Sequence, residues 1–167
     1  DAKVVVKVFS SLTCPHCASF HKKVFENLKR EYISKKQVKF EHHAFPLDLA
    51  ALNAEVVVRC LADNNKKFEL LEEIYKKQKT WAVGSDINKI NNLIKKVGLN
   101  FDLTEENMDD CLKNDEAVKI AGFGTYKVAK RKARIGRNPR TGEQIQIAAS
   151  QKVKFLPAKG LKDMFNR

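Results

Sequence analysis

The apolar positions of this chain change period along its length, and each change marks an element. "KVVVKVF" (Lys3 to Phe9) is a β-branched run that reads as a buried strand. Phe20, Val24, Phe25, Leu28 and Tyr32 then recur at helical spacing and predict a helix from about Pro15 to about Ser34. "QVKFEHHAF" (Gln37 to Phe45) alternates, with Val38, Phe40 and then His42 on one face, and predicts a second strand stopped near Pro46. From Leu47 to Lys113 the spacing is helical again. Phe68, Leu71, Ile74 and Tyr75 mark one helix. Ile87, Ile90, Leu93, Ile94 and Val97 mark another, with Ser85 or Asp86 as its cap and Gly98 as its stop. Thr104 caps a further short helix carrying Met108, Cys111 and Leu112.

Near Asn114 to Ala117 the character changes. Val118, Ile120, Tyr126 and Val128 keep period-two spacing, with Gly122 and Gly124 between them. Glycine inside a strand suggests a bulge or a close backbone approach. "GRNPRTGE" is a turn by composition, and Ile145, Ile147, Val153 and Phe155 restore alternation on the return. Pro157 opens a short helix whose apolar face is Leu161, Met164 and Phe165. The region reads as a long hairpin followed by a helix. No internal repeat or low-complexity stretch interrupts it.

Charge divides the chain at the same place. The 50 residues from Val118 carry 13 Lys and Arg against 2 acidic residues, a net of +11 out of +12. The first 117 hold 19 basic and 18 acidic residues and are nearly neutral. The asymmetry points to a globular part joined to a part with a polyanionic partner. A membrane surface is the competing partner, but the basic residues follow a strand-like pattern rather than an amphipathic helix. The composition, 43% hydrophobic and 31% charged, is globular. No apolar run reaches the roughly 18 residues of a membrane span. The chain starts at Asp1 with no apolar leader, which fits a processed or trimmed protein and leaves export open.

All four cysteines precede Val118: Cys14, Cys17, Cys60 and Cys111. One close and one distant pair permit two disulfides. Zinc competes, but Cys60 and Cys111 lack the second close pair that a structural site uses, so no metal is expected. "TCPHC" between a β-branched strand and an amphipathic helix is an arrangement that activates a thiol. Cys14 falls at the helix N-terminus, where free N–H groups and the helix dipole favour an anion. Cys17, one turn in, is placed to resolve a mixed disulfide. Pro15 suits the first turn, and His16 adds positive charge near the thiolate. The bland alternative is an inert disulfide or two buried thiols.

"FSSLTCPHCASFHKKVFENLK" resembles the active-site region of the DsbA-like thiol–disulfide oxidoreductases, over about Val4 to Glu116. The resemblance implies a thioredoxin fold with a helical insertion, and disulfide exchange outside the cytosol with protein thiols or a redox partner protein. It makes Cys14 the nucleophile, Cys17 the resolving thiol, and Pro15 and His16 the tuning dipeptide. It implies no cofactor. Some members carry a second disulfide in the helical region, which would pair Cys60 with Cys111; two free thiols are the alternative. The family also places a cis-Pro after Thr or Val beside the CxxC pair, in the second half of the fold. The prolines here are Pro15, Pro46, Pro139 and Pro157, and none follows Thr or Val.

Val118 to Asn166 resembles the C-terminal half of the HU/IHF family of bacterial DNA-architectural proteins, through "GFGTY", "GRNPRTGE" and "FLPAKGLKD". Lys127, Lys130, Arg131, Lys132, Arg134, Arg137 and Arg140 line a hairpin too polar to pack as a core. Their natural partner is phosphate, with affinity gained by counterion release. In that family a proline at the arm tip wedges between base pairs, as in minor-groove binding by HU and IHF. The resemblance makes Pro139 that wedge, beside Asn138, and gives flanking backbone contacts to Lys152, Lys154, Lys159 and Lys162. The bland alternative is a solvated hairpin. The family's dimer helices precede this segment, and here DsbA-like helices occupy their place; a homodimer would need another interface.

The expectation is therefore a mosaic, chimeric or recombined. It has a redox module (residues 1–117) and a DNA-binding arm with a terminal helix (residues 118–167). The fold class is α/β: a partial thioredoxin-like fold with helical insertion, then an HU-like β-arm hairpin and a short C-terminal helix. A hybrid sheet is expected, in which the first two strands pair with those around Val118 to Val128 and Val153 to Phe155, with the last helix covering one face. Expected partners are protein thiols and double-stranded DNA. The alternative is an architectural DNA-binding protein whose redox part is only a scaffold. Location signals conflict, periplasm for one half and nucleoid for the other, with periplasm preferred.

Overall fold

The computed structural model describes residues 2–114, 117–120 and 123–165. Gly122, expected to interrupt a strand, lies outside them, as does part of the join expected near 114–117. Strand β1 (Val4–Ser10) leads through the CPHC loop into α1 (Pro15–Phe20). The helical path continues as a π-helical turn (His21–Phe25), α2 (Glu26–Leu28) and a second π turn (Lys29–Ile33). It returns in β2 (Val38–Ala44), which pairs in parallel with β1, Val4 opposite Val38 and Ser10 opposite Ala44. A helix between two parallel strands is the connection that parallel pairing requires.

The helical block follows: α3 (Leu49–Cys60), α4 (Asn64–Lys76), α5 (Gln78–Trp81), α6 (Ile87–Gly98) and α7 (Glu105–Asn114). Aspartates start three of these helices, because a side-chain oxygen can take the free first-turn N–H groups. Asp48 accepts from Ala51 N, Asp63 from Lys66 N, and Asp86 from Asn88 N and Lys89 N, so Asp86 rather than Ser85 is the cap. Thr104 Oγ1 accepts from Asn107 N at the start of α7. The apolar stripes meet in one core: Val57, Leu70, Ile74, Ile94 and Met108 are fully shielded from water and pack with Leu12 and Trp81. The Trp81 indole N–H, buried there, donates to Ile74 O at 2.8 Å.

After α7 come β3 (Ala117–Ile120), β4 (Gly124–Arg131), β5 (Arg134–Arg137), β6 (Gln144–Ile147), β7 (Ser150–Pro157) and α8 (Lys159–Phe165). Strands β3, β4 and β7 form one antiparallel sheet; β5 and β6 form a separate two-stranded ladder. The long hairpin is thus two pieces, a rooted base and a free arm. Gly124 meets the expected close approach: a Cβ there would fall 2.6 Å from Leu156 O.

The structure corrects three expectations. The hybrid sheet does not form: among the described residues no ladder joins β1 or β2 to β3, β4 or β7. The halves meet through side chains instead. Ala44 on β2 and Leu52 and Val56 on α3 are buried with Val118, Ile120 and Tyr126. Phe9 lies against Phe123 at 5.3 Å between ring centroids, and Phe45 against Tyr126 at 5.9 Å. Second, β1 is not a buried strand: Val4, Val5 and Phe9 are about half exposed. Among the described residues it has a strand partner on one side alone, and Val4, Val5, Lys7 and Phe9 stay exposed. Third, α8 is not packed down by its apolar stripe: none of its residues is buried, and Phe165 is 82% exposed.

Candidate functional site

The turn from β1 into α1 sets the geometry of the CPHC pair. Cys14 is the N-cap residue, in extended conformation, and Pro15 occupies the first helical turn. The Cys14 N–H donates to Ser11 O at 3.1 Å, and Ala18 N–H donates to Cys14 O at 3.1 Å. Gln78, buried at the start of α5, donates its side-chain amide to Leu12 O and Cys14 O at 2.8 and 3.0 Å, so the helical block pins the loop from behind. Both thiols are free and partly exposed.

Burial alone would raise the Cys14 thiol. The Cys17 N–H, the Cys17 thiol and the His16 N–H all donate to it, and together they hold it below the ordinary thiol value. Burial, with the hydrogen bond and charge of Cys14, pushes the Cys17 thiol up. The two thiols are thus made unlike, Cys14 the readier to ionise and Cys17 the less ready. His16 acts here through its main-chain N–H, while its side chain is exposed.

Beneath the loop runs a line of polar groups that sequence reasoning missed. Tyr75 O–H donates to Ser10 Oγ at 2.9 Å, and Ser10 Oγ lies 3.2 Å from His42 Nδ1. His42 Nε2 stands 3.5 Å from Glu55 Oε2, and the two atoms have no closer hydrogen-bond partner. Arg59 donates to Glu55 Oε1 at 3.1 Å and to Lys119 O on β3 at 3.3 Å. Burial opposes ionisation of Glu55, but His42 and Arg59 hold its carboxyl below the usual range. The available signal was an acid inside the apolar run "AALNAEVVV". His21 is also buried with no hydrogen-bond partner, stacked on Tyr75 at 4.3 Å. Burial, then nearby His42, brings its pKa down to about 4. A groove of about 990 Å³ runs along α1, lined by Pro15, Ala18, His21, Tyr75, Gln78 and Phe101 among others.

Cys60 and Cys111 are joined in a disulfide that ties the end of α3 to α7, with Cα atoms 6.0 Å apart. In the arm, Asn138 closes the turn: its N–H donates to Glu143 O, its carbonyl accepts from Gly142 N, and its Oδ1 accepts from Arg140 N. Gly142 takes φ 75°, a left-handed conformation that suits glycine. Pro139 is left exposed at the tip. Lys127, Lys130, Arg131, Lys132, Arg134, Arg137 and Arg140 are all exposed, as are Lys152, Lys154, Lys159 and Lys162. The cysteine pair and the arm stand on different elements, α1 and the β5–β6 ladder. Among the described residues no group of His, Cys, Asp and Glu is placed to hold a metal, and no helix is long and apolar enough to cross a membrane.

The sequence that forms this sheet and its basic arm has counterparts among known proteins. The family model described as bacterial DNA-binding protein matches residues 65–166. The chain belongs to that family. It is 44% identical over 82 residues to the DNA-binding protein HU of Pasteurella multocida, covering 49% of this chain and 86% of that protein. The family match begins at residue 65, inside the helical block that the sequence assigned to the redox module. Helices α4 to α7 are therefore shared ground between two likenesses.

The other likeness is to disulfide oxidoreductases. A protein of Rickettsia bellii with the provisional name protein-disulfide oxidoreductase is 31% identical over 136 residues, which is 81% of this chain. The chain spans about half of that relative's length, 51%. The Wolbachia pipientis protein alpha-DsbA1 shares the fold, with TM-score 0.62 and 23% identity, over 69% of this chain and 57% of that one. A protein-disulfide isomerase from Novosphingobium aromaticivorans does so with TM-score 0.55 and 19% identity, over 68% of each chain. This family member is thus a mosaic of DsbA-like and HU-like segments.

Proposed function

We propose that this chain is a thiol–disulfide oxidoreductase, working through Cys14 and Cys17, joined to a sequence-independent DNA-binding arm. The observation that carries the redox half is the three hydrogen bonds that lower the Cys14 thiol against its own burial. In the mechanism, the Cys14–Cys17 disulfide is attacked at Cys14 by a substrate thiolate. Cys17 leaves, a mixed disulfide forms, and a second substrate thiolate displaces Cys14. A stabilised Cys14 thiolate is a good leaving group in that last step, so the pair acts as an oxidant. The groove along α1 supports approach of a polypeptide beside Pro15.

The DNA half rests on the exposed cations of the arm. Lys130, Arg131, Lys132, Arg134, Arg137 and Arg140 would meet phosphates, with Asn138 and Pro139 at the tip entering the minor groove. Lys127, Lys152, Lys154 and Lys159 would hold the flanking backbone. The proposed partners are protein thiols and double-stranded DNA. The Cys60–Cys111 disulfide supports an oxidising compartment. The division at residues 117 and 118, and the chimeric origin, belong to the same proposal.

Alkylation of the reduced chain against pH tests the redox half. Cys14 should react with a midpoint below that of an ordinary thiol, and Cys14→Ser should abolish exchange with a disulfide-forming peptide. An ordinary midpoint at Cys14 would leave the scaffold reading, which the two-stranded β1–β2 sheet favours. DNA affinity should fall steeply with salt, and affinity indifferent to salt would remove the arm from the account.

A further inference from the structure

We propose that the Cys60–Cys111 disulfide is a redox switch on DNA binding: a dithiol opens it, and opening it loosens the seat of the HU-like sheet. The inference rests on the DNA-binding reading of the arm. Its grounds converge on the last two turns of α3. Val56 is buried against Val118 and Ile120 of β3. Arg59 ties the same turn to β3 through Lys119 O. Cys60 is the final residue of α3 and bonds to Cys111 of α7. Cys111 and Leu112 pack against the same apolar cluster, and α7 ends at Asn114, just before β3 begins at Ala117. The disulfide therefore clamps α7 to α3 where the chain passes from the helical block into the sheet. β3 pairs with β4, and β4 with β7; the arm continues from the far ends of β4 and β7.

The bond is reachable. Cys60 and Cys111 are partly exposed and line an open cavity of about 420 Å³ with Leu61, Ala62, Asn107 and Asp110. A thiolate of the dithiol attacks one sulfur; the S–S bond breaks, and a mixed disulfide forms. The other cysteine leaves as thiolate and takes a proton. The second thiol of the reagent then displaces the first cysteine, which is protonated in turn. The dithiol ends as a disulfide and Cys60 and Cys111 as two thiols. The two cysteines are 51 positions apart, so opening the bond returns loop freedom to the unfolded chain and lowers the stability of the fold that holds α7 on α3. With its clamp released, α7 can move relative to α3, and β3 with it. The arm then spends less time in the orientation that binds.

The test uses the full chain in a Cys14→Ser, Cys17→Ser background, so that Cys60–Cys111 is the sole exchangeable pair. Affinity for a short labelled duplex is measured before reduction with dithiothreitol, after it, and again after reoxidation. Amide exchange of Val118 to Ile120 is followed in parallel. Reduction should weaken binding about tenfold, within the usual range for coupling between two sites. It should also speed exchange in β3, and reoxidation should restore both. A further Cys60→Ser, Cys111→Ser pair should bind like the reduced chain and ignore dithiothreitol. Binding and β3 exchange that are the same in both redox states would overturn the switch. If the oxidised chain binds no DNA, the arm reading fails, and unchanged β3 exchange would then reject the clamp as well.

Discussion

In the helical block, Leu52, Val57, Leu70, Ile74 and Ile94 are wholly shielded from water, whereas no residue of β5 or β6 is buried. The first region is held by packing. The second is held by one ladder and a turn closed by Asn138. Apolar deletions should therefore register in stability, and charge deletions in binding. Between the regions stands the α3 seat, where Val56 and Arg59 touch the HU-like sheet. A change at the seat should register in both.

The largest expected effect on stability is at the centre of the block. Ile74→Ala removes buried methylenes from a site with 0% exposure, and should cost about 3 kcal/mol in denaturant unfolding. A loss near zero would mean that the block is loosely packed. At the seat, Val118→Ala should cost about 2 kcal/mol and also weaken DNA binding. If only binding changes, the seat is not part of the common core.

His21 sharpens the contrast through pH. Its folded pKa is depressed from 6.5 to about 4, so the unfolded chain takes up a proton first as pH falls. Stability should therefore decline between pH 6.5 and about 4. His21→Phe should recover about 1–2 kcal/mol of that decline near pH 5, read from denaturation midpoints at several pH values. In the arm, the triple change Arg134→Ala, Arg137→Ala, Arg140→Ala should leave the unfolding midpoint within about 0.5 kcal/mol of the parent. It should also flatten the salt dependence of DNA affinity by about 2–3 in log–log slope. An arm variant that unfolds easily would erase the distinction between the two regions.

What could be read from the sequence follows the same division. Helices α4 and α6 were legible because Phe68, Leu71, Ile74 and Tyr75, and then Ile87, Ile90, Ile94 and Val97, recur at three- and four-residue spacing. The CPHC turn was legible because Cys14 and Cys17 stand where a β-branched strand gives way to a helix. The exposed face of β1 was not, because Val4 and Val5 look the same whether or not another strand covers them. The apolar face of α8 misled for a related reason: Leu161, Met164 and Phe165 specify a stripe and not what it packs on. The shared core escaped notice because Val56 and Val118 are far apart in sequence, and local alternation says nothing of such contacts. Gln78, which pins the CPHC loop, gave no signal at all.

The two segments form one folded unit seated on α3. Amide hydrogen exchange of the oxidised chain, with and without duplex DNA, tests it most directly. Exchange should be slow in both β1–β2 and β3–β4, in the free chain as well as the complex, with DNA adding protection in β5 and β6. Protection confined to one half of the free chain would contradict it, making the other half a passenger.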